Sequence, residues 1–103
     1  MKVVLRPHLK IRLSERKIPQ YFPKEIISMP DDRFIDNITH HFLAVKQMEY
    51  NGKPKLMAVA YDIIDQSIQV ITIHPIKEQE MKNKIKRGRW QRNEKKWTKS
   101  ILW

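Results

Sequence analysis

His41-Phe-Leu-Ala-Val-Lys-Gln-Met-Glu-Tyr50-Asn51-Gly52-Lys53-Pro-Lys-Leu-Met-Ala-Val-Ala-Tyr61 is two extended runs hinged at one dipeptide. Asn-Gly between β-branched and aromatic residues is a strong short-range hairpin signal, because both central positions of a type I′ turn need positive φ. A two-residue loop pairs Tyr50 with Lys53, Met48 with Lys55, Lys46 with Met57 and Ala44 with Val59. One face of the hairpin then carries Leu43, Val45, Leu56, Ala58 and Ala60. The other carries Phe42, Lys46, Met48, Lys55, Met57, Val59 and Tyr61.

A third strand is expected from Ile68 to His74, closed by Pro75, and an edge strand near Arg33 to Asp36. Regular alternation sends Ile71 and Ile73 one way and Val70, Thr72 and His74 the other. Placing the two isoleucines on the aliphatic face buries the most apolar area, and a one-residue slip would exchange the sets. The expectation is therefore helices over the aliphatic face, with Lys46, Lys55, Thr72 and His74 on an open mixed face.

Around the sheet the period is helical. Residues 8–17 read as a helix opened by Pro7, with Leu9 and Leu13 inward. His8, Arg12, Glu15 and Arg16 share an arc beside that stripe. A short helix ends near Met29, before Pro30. Lys77 to Arg87 forms a basic helix with Met81 and Ile85 inward and Gly88 as its stop. The fold class expected is α+β: N-terminal helices, then a three- or four-stranded antiparallel sheet, then the C-terminal basic helix. Residues 1–90 read as one domain and 91–103 as a basic tail bearing tryptophan.

The 103 residues carry a net charge of +10. The first 17 residues have a net of +5, residues 18–76 of −2, and residues 77–103 of +7. Charge concentrated at both ends favours a polyanion, because each cation that meets a phosphate releases condensed counterions. No run of 18 apolar residues marks a membrane span, and Met1 to Lys10 lacks the apolar centre of a secretory signal. With no cysteine there is neither a disulfide nor a thiolate metal site, and a cytoplasmic location is expected. His40 and His41 are adjacent and would face opposite ways in a strand, so metal chelation is not expected and no cofactor is called for. There is no Gly-x-Ser-x-Gly elbow and no glycine-rich phosphate loop.

What remains is histidine, lysine and arginine. Those residue types suffice to cleave RNA: a base takes the 2′-hydroxyl proton, a cation stabilises the pentacoordinate phosphorus, and an acid protonates the leaving 5′-oxygen. His8, Arg12, Lys46 and His74 are the catalytic candidates, with His74 or His8 as base. Arg16, Lys55, Lys82, Lys86, Arg87, Arg89 and Trp90 are the RNA-binding candidates, with Trp90 read first as a residue capping the core and the arginines as phosphate contacts. A lone histidine or lysine more often ends a strand or lies along a surface; the weight lies in several converging.

The helix His8-Leu-Lys-Ile-Arg12-Leu13-Ser-Glu-Arg16-Lys17-Ile18 resembles the His-x-x-x-Arg-Met-x-x-Arg-x-Ile opening of a family of short microbial chains. Val70-Ile-Thr-Ile-His-Pro-Ile76 and the basic run ending Lys86-Arg-Gly-Arg-Trp90 resemble their closing strand and tail. Those chains are similar to the BrnT and RelE toxins of the barnase–colicin–RelE-like ribonuclease group. Here Leu13 stands for a frequent Met and Lys17 for a frequent Gly. The resemblance implies metal-independent cleavage of RNA, mRNA foremost, on an open sheet face, and a cognate antitoxin as partner. A homodimer stays open and no membrane partner is expected. Two other readings stand beside it: a nucleic-acid-binding module without catalysis, and a protein-interaction subunit docking through residues 91–103.

Overall fold

A computed structural model describes residues 2–93. It gives strand β1 (Lys2–Leu5), helices α1 (Pro7–Glu15) and α2 (Phe22–Ser28), strands β2 (Asp32–Asp36), β3 (Phe42–Tyr50), β4 (Lys53–Ile64) and β5 (Ser67–Ile76), helix α3 (Glu78–Lys86) and strand β6 (Trp90–Arg92). The strands form one sheet in the order β1-β5-β4-β3-β2-β6. β1 runs parallel to β5, and the other neighbours are antiparallel.

The β3–β4 hairpin follows from Asn51-Gly52 as expected. Both turn residues have positive φ (56° and 73°), and every pair from Tyr50–Lys53 to Ala44–Val59 is in the predicted register.

The expected three- or four-stranded antiparallel sheet is corrected to a six-stranded mixed one. β1 is the β-branched run Val3-Val4, which precedes the helices and pairs with Ser67–Val70. At the other edge, Trp90 to Arg92 pairs with β2 and carries the sheet past residue 90. The rest of the 91–103 tail, from residue 94 on, lies outside the described residues.

Helices on one face and an open second face are corrected too. α1 and α2 pack Leu9, Leu13, Phe22, Ile26 and Ile27 against Met48, Met57, Val59, Tyr61 and Val70, the face read as mixed and open. The aliphatic face is covered by Met81 and Ile85 of α3 and by Trp90, which meet Leu43, Val45, Ala58 and Ile76. Lys46 and Lys55 did not keep helices off their face, because the Met, Val and Tyr side chains between them bury far more apolar area than two lysines expose.

The expected facing of β5 fails at a bulge. Tyr61 pairs with Val70 and Ala60 with Thr72, so Ile71 is the extra residue. A bulge breaks the two-residue period. Val70 and Ile73 both reach the core under α1, while Thr72 and His74 lie opposite Ala60 and Ala58 on the other face. His74 and Lys46 are therefore on opposite faces of the sheet.

α1 ends in a Schellman motif: the Ile18 N–H donates to Leu13 O (2.9 Å) and the Lys17 N–H to Ser14 O (3.1 Å). Lys17 sits at the left-handed position with φ 56°. A β-carbon is strained there and glycine is not. Lys17→Gly is expected to raise unfolding stability by about 0.5–1 kcal/mol in a urea titration; an unchanged or lower midpoint contradicts that reading.

Candidate functional site

β1 stops at Leu5, opposite Val70, and Pro7 turns the chain at once into α1. The next residues of β5 are thereby left without a strand on their outer side among the described residues, and α1 overhangs them. Between helix and strand edge lies a cleft of about 410 Å³, lined by Arg6, His8, Leu9, Arg12, Leu13, Arg16 and Val70 to His74. His8, Arg12 and Arg16 recur at four-residue spacing, so they form one row along α1. Leu9 and Leu13 form the adjacent buried row. Among the described residues no acidic side chain lines the cleft.

Two contacts hold α1 over the edge. Arg16 Nη1 donates to Ile73 O at 3.5 Å, and the Tyr50 hydroxyl at the hairpin tip donates to Arg16 O. The hairpin signal in the sequence thus also serves to anchor the end of α1.

His74 belongs to the exposed surface, yet its ring is packed closely enough for desolvation to hold its pKa below the ordinary value near 6.5. Glu80 of α3 opposes that shift, and Arg16 of α1 and Lys84 of α3 add to it. A neutral imidazole beside arginines is a proton acceptor. Asp36, at the other side of the sheet, shows the reverse balance. Burial pushes its carboxyl up, but the Ile38 and Thr39 N–H groups and Arg89 outweigh this and leave its pKa lowered.

Four sequence-predicted residues line the cleft, His8, Arg12 and Arg16 from α1 and His74 from the edge of β5, where its register places it on the Ala58 face of the sheet, opposite α1. The other candidates lie elsewhere. Lys46 Nζ donates to Met29 O (2.8 Å) at the end of α2, and Lys55 is exposed near the hairpin. Lys82 pairs with Glu78 on the outer side of α3, where Lys86 and Arg87 are also exposed. Arg89 is engaged by Asp36 at 3.2 Å.

Trp90 is a core residue. It is 3% exposed, its ring tilted against Phe34 (centroids 5.3 Å apart) with Lys84 Nζ 5.4 Å from its centroid.

Sequence reasoning missed Arg6 and the free edge of β5. The signal for Arg6 was its place between a β-branched run and Pro7. For the strand edge there was none, since it follows from where β1 ends.

Among the described residues no three His, Asp or Glu side chains gather as metal ligands would, and no helix is long and apolar enough to cross a membrane. The chain matches no protein-family model, no curated protein and no solved structure.

Proposed function

We propose that the chain is an endoribonuclease that cleaves RNA in the cleft between α1 and β5. The observation that carries this is one cleft lined by His8, by the three arginines Arg6, Arg12 and Arg16 and by the β5 edge up to His74, whose charge environment includes Arg16. Arg12 and Arg16 hold the phosphodiester and stabilise the negative charge that builds on its oxygens. His74, held neutral, takes the proton of the 2′-hydroxyl, whose oxygen attacks phosphorus. His8, in the first turn of α1, donates a proton to the departing 5′-oxygen. The products are a 2′,3′-cyclic phosphate and a free 5′-hydroxyl. No water is consumed in this step.

The resemblance of the α1 motif and the closing strand to BrnT and RelE toxins supports the same reading, since the residues that carry it line the cleft. A toxin of this type is silenced by an antitoxin, and a partner presenting carboxylates to Arg6, Arg12 and Arg16 would occupy the phosphate positions.

The test is incubation of purified protein with single-stranded RNA in the presence of a chelator. Fragments ending in 2′,3′-cyclic phosphate are expected. Salt-sensitive binding with no such fragments would replace this reading with that of a binding module.

A further inference from the structure

We infer that Tyr50, at the tip of the β3–β4 hairpin, is a positioning residue for the cleft: its hydroxyl fixes the last turn of α1, and with it the guanidinium of Arg16 at the edge of β5. The role rests on the ribonuclease reading of the cleft and belongs to a residue outside the cleft's lining.

α1 has few holds of its own. It is nine residues long, and a helix this short is marginal in water unless packing holds it. No side chain caps its N-terminus, no acidic residue stands in its first turn, and Leu9 and Leu13 are its buried residues. A helix resting on two leucines can rock about them unless its ends are tied. β1 ties the N-terminal end, because only Arg6 separates Leu5 from Pro7.

Tyr50 ties the other end. The last carbonyls of a helix have no partner within it. The Arg12, Leu13 and Ser14 carbonyls accept the Arg16, Ile18 and Lys17 N–H groups. The Arg16 carbonyl accepts the Tyr50 hydroxyl instead. The half-buried Tyr50 ring packs on the same core cluster as Leu9 and Leu13. Pairing with Lys53 beside the Asn51-Gly52 turn fixes where that ring stands. The hydroxyl is therefore placed by the sheet and not by the helix.

The peptide so held belongs to the arginine that reaches the strand edge. Arg16 is exposed, and its Nη1 donates to Ile73 O at 3.5 Å. A bond that long is too weak to fix the side chain by itself. It leaves the other guanidinium donors for a phosphate. A displacement of about 1 Å caused far from the chemistry can cost about a hundredfold in rate.

Tyr50→Phe removes the hydroxyl and keeps the ring. With single-stranded RNA and a chelator, it is expected to slow cleavage about tenfold, part of the range that misplacement can cost. Amide exchange at Arg16, Lys17 and Ile18 should quicken about fivefold, as for one lost hydrogen bond. Arg16→Ala removes the guanidinium but keeps the carbonyl that Tyr50 binds. In that background Tyr50→Phe should change the residual rate by less than about twofold, because the two residues act as one unit.

A parental rate in Tyr50→Phe, or unchanged exchange at those amides, overturns the positioning role. So does an equal loss in both backgrounds, which would make Tyr50 a stabiliser of the fold alone. Cleavage by the parent alongside any of these leaves the ribonuclease reading intact. If the parent cleaves no RNA, both fall.

Discussion

His74→Ala and Arg12→Ala are each expected to lower the rate of RNA cleavage by about a hundredfold while the fold persists. The size comes from what each group does: a positioned general base contributes about 10²–10⁴-fold, and an oriented donor on developing charge about 10²–10³-fold. Both residues are exposed, so neither substitution opens a cavity in the core. Lys46→Ala serves as the contrast, because its ammonium is spent on Met29 O away from the cleft. It should leave the rate within about twofold, a small change on the scale of a lost catalytic group.

The pH dependence follows from the surroundings of His74. Only the neutral ring accepts a proton, and its pKa is held below 6.5, chiefly by desolvation. The rate therefore rises with pH along a limb centred below that value. Glu80 is the group that favours the imidazolium. Glu80→Gln removes that support, lowers the pKa further and moves the limb to more acid pH. A limb that stays in place, with unchanged rates in the two alanine variants, removes His74 from the mechanism.

Asp36→Ala is the substitution with the largest expected cost to stability, about 2–4 kcal/mol in denaturant titration. Its carboxylate is 6% exposed. One oxygen accepts the Ile38 and Thr39 N–H groups (2.8 and 3.1 Å), and the other accepts Arg89 Nε (3.2 Å). These bonds tie the β2–β3 turn to the start of β6, where the Asn37 N–H also donates to Arg89 O. Alanine leaves the turn amides and the guanidinium without their acceptor. Asp36→Asn keeps an acceptor but loses the charge, so it should cost less.

The carboxyl's pKa in the fold is below its ordinary 3.8. Its contribution is therefore complete above the unfolded value and is lost as pH falls through the folded one. The parent should lose stability across that acid window, and Asp36→Asn should lose less. A cost under 0.5 kcal/mol for alanine would be that of an ordinary surface change and would contradict the account of this turn.

Local signals in the sequence were reliable, and the long-range ones were not. Asn51-Gly52 fixed its own register because the turn chemistry needs nothing from the rest of the chain. Pro7, Pro30 and Gly88 marked helix ends for the same reason. The helices cover both faces rather than the aliphatic one alone, because each face carries enough apolar area to be buried. The bulge at Ile71 has no residue-level mark: Val70-Ile-Thr-Ile is uniformly β-forming, so the alternation reads as unbroken.

The candidate site was half legible. The row His8, Arg12, Arg16 is a helical spacing that any reader of the sequence can draw, and His74 stood out before Pro75. Their meeting depends on β1 ending where it does, which the sequence does not announce. The open sheet face expected to hold substrate does not exist in that form. The cleft lies at the sheet's edge instead.

Chemical-shift mapping with an uncleavable 2′-O-methyl RNA strand tests the central claim most directly. The account predicts that the amides of residues 6–16 and 71–74 move together and saturate together, while those around Lys46, Lys55 and the outer side of α3 stay in place. Shifts confined to α3 or the hairpin, with α1 and the edge of β5 undisturbed, would contradict it.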